Sequence, residues 1–107
     1  MPTNITDGSQ TATISTEHTL ATDTTNKTYV LVVDTGAMVA GDVTELRIYT
    51  IVRSGGTERL AYIQVFRDTQ NEPIKYSVPV PADISCKVTL KQTAGTGRAY
   101  PWKLLSL

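Results

Sequence analysis

Cys86-Lys87-Val88-Thr89-Leu90-Lys91 alternates apolar and polar residues without a break, and that period of two decides the fold. Successive side chains of a β-strand point to opposite faces, so Cys86, Val88 and Leu90 share an inward face while Lys87, Thr89 and Lys91 share an outward one. Downstream, Thr93-Ala94-Gly95-Thr96-Gly97 reads as the turn that brings the chain back. A last strand follows with Tyr100, Trp102 and Leu104 on one face. Trp102 is expected to anchor the core, because an aromatic of that size buries on the order of 200 Å².

Upstream the same period recurs in shorter pieces. Ile74, Tyr76, Val78 and Val80 alternate with Lys75, Ser77 and Pro79, but Pro79 and Pro81 donate no ladder hydrogen bond, so this strand belongs at a sheet edge or stops early. Ser54-Gly55-Gly56 sits between two extended segments and predicts a hairpin, with 44–53 antiparallel to 57–66, since paired glycines tolerate positive φ. Within 43–52, Leu46, Ile48 and Val52 are expected on one face and Glu45, Arg47 and Tyr49 on the other. Tyr29-Val30-Leu31-Val32-Val33-Asp34 is an unbroken apolar run, the pattern of a strand covered on both faces. Residues 1–28 hold ten threonines and offer only Ala12, Ile14 and Leu20 for burial, which predicts a flexible arm over 1–10 and one strand over about 11–20. The whole reads as one all-β domain over 11–107: a two-sheet antiparallel sandwich of about seven strands, immunoglobulin-like or jelly-roll-like.

Composition narrows function mainly by exclusion. The 107 residues carry ten Lys plus Arg against ten Asp plus Glu, so the long-range field that gathers nucleic acid or anionic lipid is missing. Neither partner is expected. Only 19% of residues are charged, and a weakly charged surface near neutrality loses little repulsion on association, which suits a protein that works assembled. Cys86, the single cysteine, forms no internal disulfide, and with His18 alone it makes no Cys/His zinc site. No stretch approaches 18 apolar residues, and Met-Pro-Thr-Asn is not the start of a secretory signal, so the chain is expected to be made in the cytoplasm.

Four constellations invite a chemical reading, and each has a structural one beside it. Ala94-Gly95-Thr96-Gly97-Arg98 lacks the Gly-Lys-Ser/Thr ending and following helix of a phosphate loop and reads as a turn. His18, near Glu17, Asp7 and Asp23, has no nucleophile motif beside it and reads as a solvated or edge histidine. Asp34, Asp42, Asp68 and Glu72 lack calcium-loop spacing and read as turn caps. Arg47, Lys75, Lys87, Lys91, Arg98 and Lys103, with Tyr49, outline a basic sheet face of the kind that binds single strands, balanced by Glu45, Glu58 and Glu72. No catalyst and no cofactor is expected.

From about Tyr29 to Leu107 the chain resembles small virion-associated structural proteins of tailed bacteriophages and prophages. The resemblance rests on Ala40-Gly41-Asp42, Glu45-Leu46-Arg47-Ile48-Tyr49, Ser54-Gly55-Gly56-Thr57 and above all Val88 through Arg98 followed by Pro101-Trp102. It implies a place, the virus particle, and no activity. The expected role is decoration of the phage head as a homo-oligomer on the major capsid protein, with Ile5, Ile14 and Tyr49 as partner-binding residues. A neck, tail or fibre position is the alternative, as is recognition of host glycans through Tyr49, Tyr62 or Trp102.

Overall fold

The alternation of 86–91 sets the pattern for the rest of the chain. The computed structural model describes residues 2–107, which form strands and no helix. These are β1 (Thr3–Thr11), β2 (Glu17–Asp23), β3 (Lys27–Asp34), β4 (Val43–Thr50), β5 (Arg59–Arg67), β6 (Ile74–Tyr76), β7 (Val80–Ala82), β8 (Cys86–Ala94) and β9 (Ala99–Ser106). They make two antiparallel sheets. Sheet A runs β1-β9-β3, with β6 and β7 both pairing along the far side of β3; sheet B runs β2-β8-β4-β5. Between them lie Tyr29, Leu31 and Val33 from β3, Leu46 and Ile48 from β4, Cys86, Val88 and Leu90 from β8, and Tyr100 and Leu104 from β9. This is the two-sheet sandwich that the patterning predicts.

Nine strands stand where about seven were expected, and the extra two have separate causes. Residues 3–11, expected within the flexible arm, form β1, an edge strand paired with β9 from Thr3↔Ser106 to Thr11↔Ala99. Apart from Ile5, which packs on the core, β1 buries almost nothing, so ladder hydrogen bonds make this strand and no hydrophobic period marks it. Residue 1 of the expected arm lies outside the described residues. The strand expected over 11–20 starts later, as β2, because Ala12 to Thr16 turn the chain from sheet A into sheet B.

The second addition comes from 74–82, which splits into β6 and β7. Ser77 supplies the break: its N–H donates to Leu31 O (2.8 Å), and its Oγ accepts the Leu31 N–H (2.9 Å). Both short strands lie at the edge of sheet A, as their prolines require. Their facing differs from expectation. Ile74, Tyr76 and Val78 point outward at 47%, 66% and 54% exposure, while Ser77 is buried; only Val80, beyond the break, turns inward.

Three further expectations are corrected. β4 and β5 pair antiparallel, but the loop between them spans 51–58 and leaves Val52 85% exposed, away from the face of Leu46 and Ile48. Trp102 is half-buried, and Tyr29 and Tyr100 are the largest fully buried side chains. Gly8 pairs with Trp102 across β1 and β9, and the indole lies closely over it, 3.3 Å from where a Cβ would sit. Lastly, Gly95-Thr96-Gly97 closes no hairpin, because β8 pairs with β2 and β4 while β9 pairs with β1 and β3. The turn is an arch from one sheet to the other.

Candidate interaction surface

Asp42 and the stretch from Gln92 to Arg98 meet at this arch, and their work there is structural. Asp42, 1% exposed, accepts the Val39 N–H on Oδ2 (3.0 Å), the Thr96 N–H on Oδ1 (3.2 Å) and the Arg98 Nε–H on Oδ2 (2.9 Å). Burial raises the pKa of this carboxyl, but the three donors and the Arg98 charge outweigh it and leave the group below its usual 3.8. Gln92, fully buried, sits beside it. Its amide donates to Ala94 O (3.0 Å) and Thr96 O (2.8 Å), while its Oε1 accepts from Arg98 N (3.1 Å) and the Tyr100 hydroxyl (3.0 Å). Since Tyr100 spends its one hydrogen there, the Thr44 hydroxyl must be the donor in the 2.7 Å contact between Thr44 and Tyr100. The buried side chains of Asp42 and Gln92 thus latch the loop before β4 to the arch between β8 and β9.

On β2, β8 and β4 the outer face of sheet B is polar and internally satisfied. Arg47 pairs with Glu45 (2.6 Å) and more loosely with Glu17 (3.5 Å), and Lys87 pairs with Glu58 (3.0 Å) while lying 4.7 Å from the centre of the Tyr49 ring. Glu17 also accepts the Tyr49 hydroxyl (2.6 Å) and the Thr89 hydroxyl (2.7 Å). Burial opposes and these contacts favour its ionised form, and its pKa comes out lowered. The basic residues do not gather on one face. Arg98 is tied to Asp42, Lys75 lies over the Phe66 ring at 5.1 Å between the two sheet edges, and Lys103 is on sheet A.

The apolar surplus is elsewhere. Leu60, Ile63 and Val65 on β5 are 46%, 43% and 36% exposed, and β5 is the free edge of sheet B. Opposite Tyr49, Arg47 and Glu45 they turn away from sheet A, whereas Ile74 and Tyr76, opposite Asp34 and Val32, turn away from sheet B; the Lys75–Phe66 contact sets these two sheet edges side by side. Around the corner, on the outer face of sheet A, Val32, Asp34, Ile74, Tyr76, Pro101, Lys103 and Leu105 line a groove of about 340 Å³. Cross-strand pairing assembles it: Val32 opposes Tyr76 on one side and Lys103 on the other, Val30 opposes Leu105, and Asp34 opposes Ile74.

The three residues expected to bind a partner are not brought together. Ile5 packs inward from β1; Ile14, 36% exposed, caps the turn at the other end of that strand; Tyr49 is held by Glu17 on the opposite sheet. Of the glycan-reading aromatics, Tyr62 is half-buried against the core and Trp102 lies against Gly8. Tyr76 and Leu105 were missed, although the run 29–33 already demanded a second cover for β3. Elsewhere the chemistry is quiet. His18 Nε2 accepts the Thr13 N–H (3.0 Å), burial first and Asp23 second push the Cys86 thiol up to about 11, and Asp34 and Asp68 accept the N–H groups of Gly36 and Gly41 (both 2.8 Å). Among the described residues no three His, Cys, Asp or Glu side chains gather at metal-binding range. Comparison with protein-family models, with curated proteins and with solved structures gives no match for this chain.

Proposed function

We propose that the chain is a structural component of a tailed-phage particle, a head decoration protein that binds the major capsid protein and further copies of itself and performs no chemistry. The observation that carries this reading is exposed apolar side chains on both outer surfaces at adjoining sheet edges, Leu60, Ile63 and Val65 turned out from sheet B and Ile74 and Tyr76 turned out from sheet A, where a partner can reach them. An edge strand presents unpaired backbone groups, and nine-residue β5 holds no proline and keeps its charges, Arg59 and Arg67, at its ends. The resemblance over Tyr29 to Leu107 supplies the setting. Weak contacts of this kind, repeated over a shell, stiffen it through multivalency.

Purified particles test the proposal through copy number. A decoration protein matches the major capsid protein to within a small factor, whereas a neck or tail ring holds about six or twelve copies set by its closed symmetry. A band of ring-like intensity would move the protein to the neck or tail. Particles lacking it that withstand heat and chelation as well as complete ones would end the stabilising role.

A further inference from the structure

We infer that the groove on the outer face of sheet A is the seat of a second copy of this chain, packed face to face about a two-fold axis. This deepens the association reading above and does not depend on the virus particle.

The case begins with β3, whose side chains are apolar on both faces. Tyr29, Leu31 and Val33 are covered by sheet B, while Val30 and Val32 look the other way and are only 7% and 8% exposed, sheltered by the neighbours that wall the groove. A sandwich sheet ordinarily turns polar residues outward. Here the outward cross-strand partners of Val30 and Val32 are Leu105, Tyr76 and Lys103, and Pro101 extends the same wall. The strand carries the pattern of a middle layer with one layer missing.

The charges name the occupant. Asp34 and Lys103 are the ionisable groups at the groove apart from Tyr76, and among the described residues neither belongs to an ion pair; the four pairs present involve Arg47 twice, Lys87 and Arg98. Covering the groove with an apolar partner would strip water from an unpaired acid and an unpaired base at once, which is costly. An acidic or a basic partner would satisfy one and repel the other. A surface with a base opposite Asp34 and an acid opposite Lys103, at the same separation, is this face itself after a half-turn. In an isologous contact residue i meets j and j meets i, so one axis between the two groups forms both pairs. Tyr76, 66% exposed at the groove margin, supplies the projection that such a contact needs on each side.

Sedimentation of the full chain across a concentration range tests this. The wild type is expected to dimerise reversibly. Lys103→Glu alone sets two acids facing in each dimer, Asp34→Lys alone sets two bases facing, and each should weaken dimerisation by about a hundredfold. An equimolar mixture of the two variants restores both attractive pairs and should recover the dimer. Tyr76→Glu should be monomeric, and Lys91→Glu, on sheet B, should dimerise like the wild type. Among the described residues the Lys103 side chain makes no polar contact, so if Asp34→Lys fails to fold, Lys103→Glu and Tyr76→Glu decide the matter together. A monomeric wild type, dimers untouched by both of those variants, or two folded single variants whose mixture stays monomeric would overturn the inference. Adding Lys103→Glu to particles lacking the protein separates the two proposals: a monomer that still binds the shell leaves the decoration role standing whatever becomes of the dimer.

Discussion

The arch around Asp42 and the outer face around Val32 depart from the usual distribution of polar and apolar groups in opposite senses. At the arch a carboxylate, an amide and two hydroxyls are buried, and every buried side-chain polar atom among the described residues has a partner. At the outer face Ile74 and Tyr76 meet water beside the half-buried Leu105, and Asp34 and Lys103 stand outside any ion pair among the described residues. A buried polar group is tolerated only when its hydrogen bonds are complete, so the arch is complete within one chain. An exposed apolar group costs the folded monomer little, so it can wait for another molecule. One region therefore serves folding, and the other is the one proposed for assembly.

If that division is right, substitutions at the arch cost stability and substitutions at the outer face do not. Asp42→Ala should be the most damaging, because it leaves two N–H groups and Arg98 without their acceptor: about 4 kcal/mol, seen in a thermal melt as a fall of roughly 15 °C or more. The same carboxylate sets the acid limb. Its folded pKa is lowered, so its contribution is fully present above the unfolded value of 3.8 and is lost as pH falls through the lower folded value. Melting temperature should decline below about pH 4, and Asp42→Asn should flatten that decline; an unchanged acid profile would remove Asp42 from the account.

Gln92→Leu keeps approximate volume but strands the Arg98 N–H, the Tyr100 hydroxyl and two carbonyls, and should cost about 3 kcal/mol in chemical denaturation. The glycines give a paired comparison. Gly95 has φ +89° and a Cβ there would lie 1.9 Å from Asp42 Oδ1, whereas Gly55 has φ +81° with nothing within 4 Å. Gly95→Ala should cost upward of about 2 kcal/mol and Gly55→Ala about 1, the backbone penalty alone. Equal costs would mean that Asp42 does not press on the turn. Least affected of all is Ile63→Lys on the outward row of β5, expected to stay within about 0.5 kcal/mol of the wild type in the same assay. A loss of several kcal/mol there would assign that row to the fold.

Much of the fold was readable because burial leaves a period. Cys86, Val88 and Leu90 lie inside as their alternation requires, and β4 pairs with β5 where two adjacent glycines lie in the connection. What stayed hidden has no hydrophobic signature. β1 is held by hydrogen bonds to a strand some ninety residues away, and threonine-rich sequence says nothing about that partner. The arch looked like a hairpin because Gly95 and Gly97 permit either, and the choice is made by Asp42, which is remote in sequence. The facing of Ile74 and Tyr76 was misjudged for a plainer reason: alternation reports two faces but not which one is inside, and a buried Ser77 fixed the phase. The outer groove was half legible, since β3 announced two covered faces while its wall of Tyr76, Pro101 and Leu105 comes from two other strands, β6 and β9.

Pairing the earliest strand with the latest has a consequence for how the molecule is made. During synthesis β1 emerges with no mate, and sheet A stays open until β9 has cleared the ribosome, so closure waits for β9 and its rate is set by a search between distant parts of the chain. Such topologies fold in milliseconds to seconds. Until then the nascent chain holds a bare β9-facing edge and the aliphatic β3 together, and a threonine-laden β1, with a single isoleucine to offer, is a first strand that can wait in water without clumping.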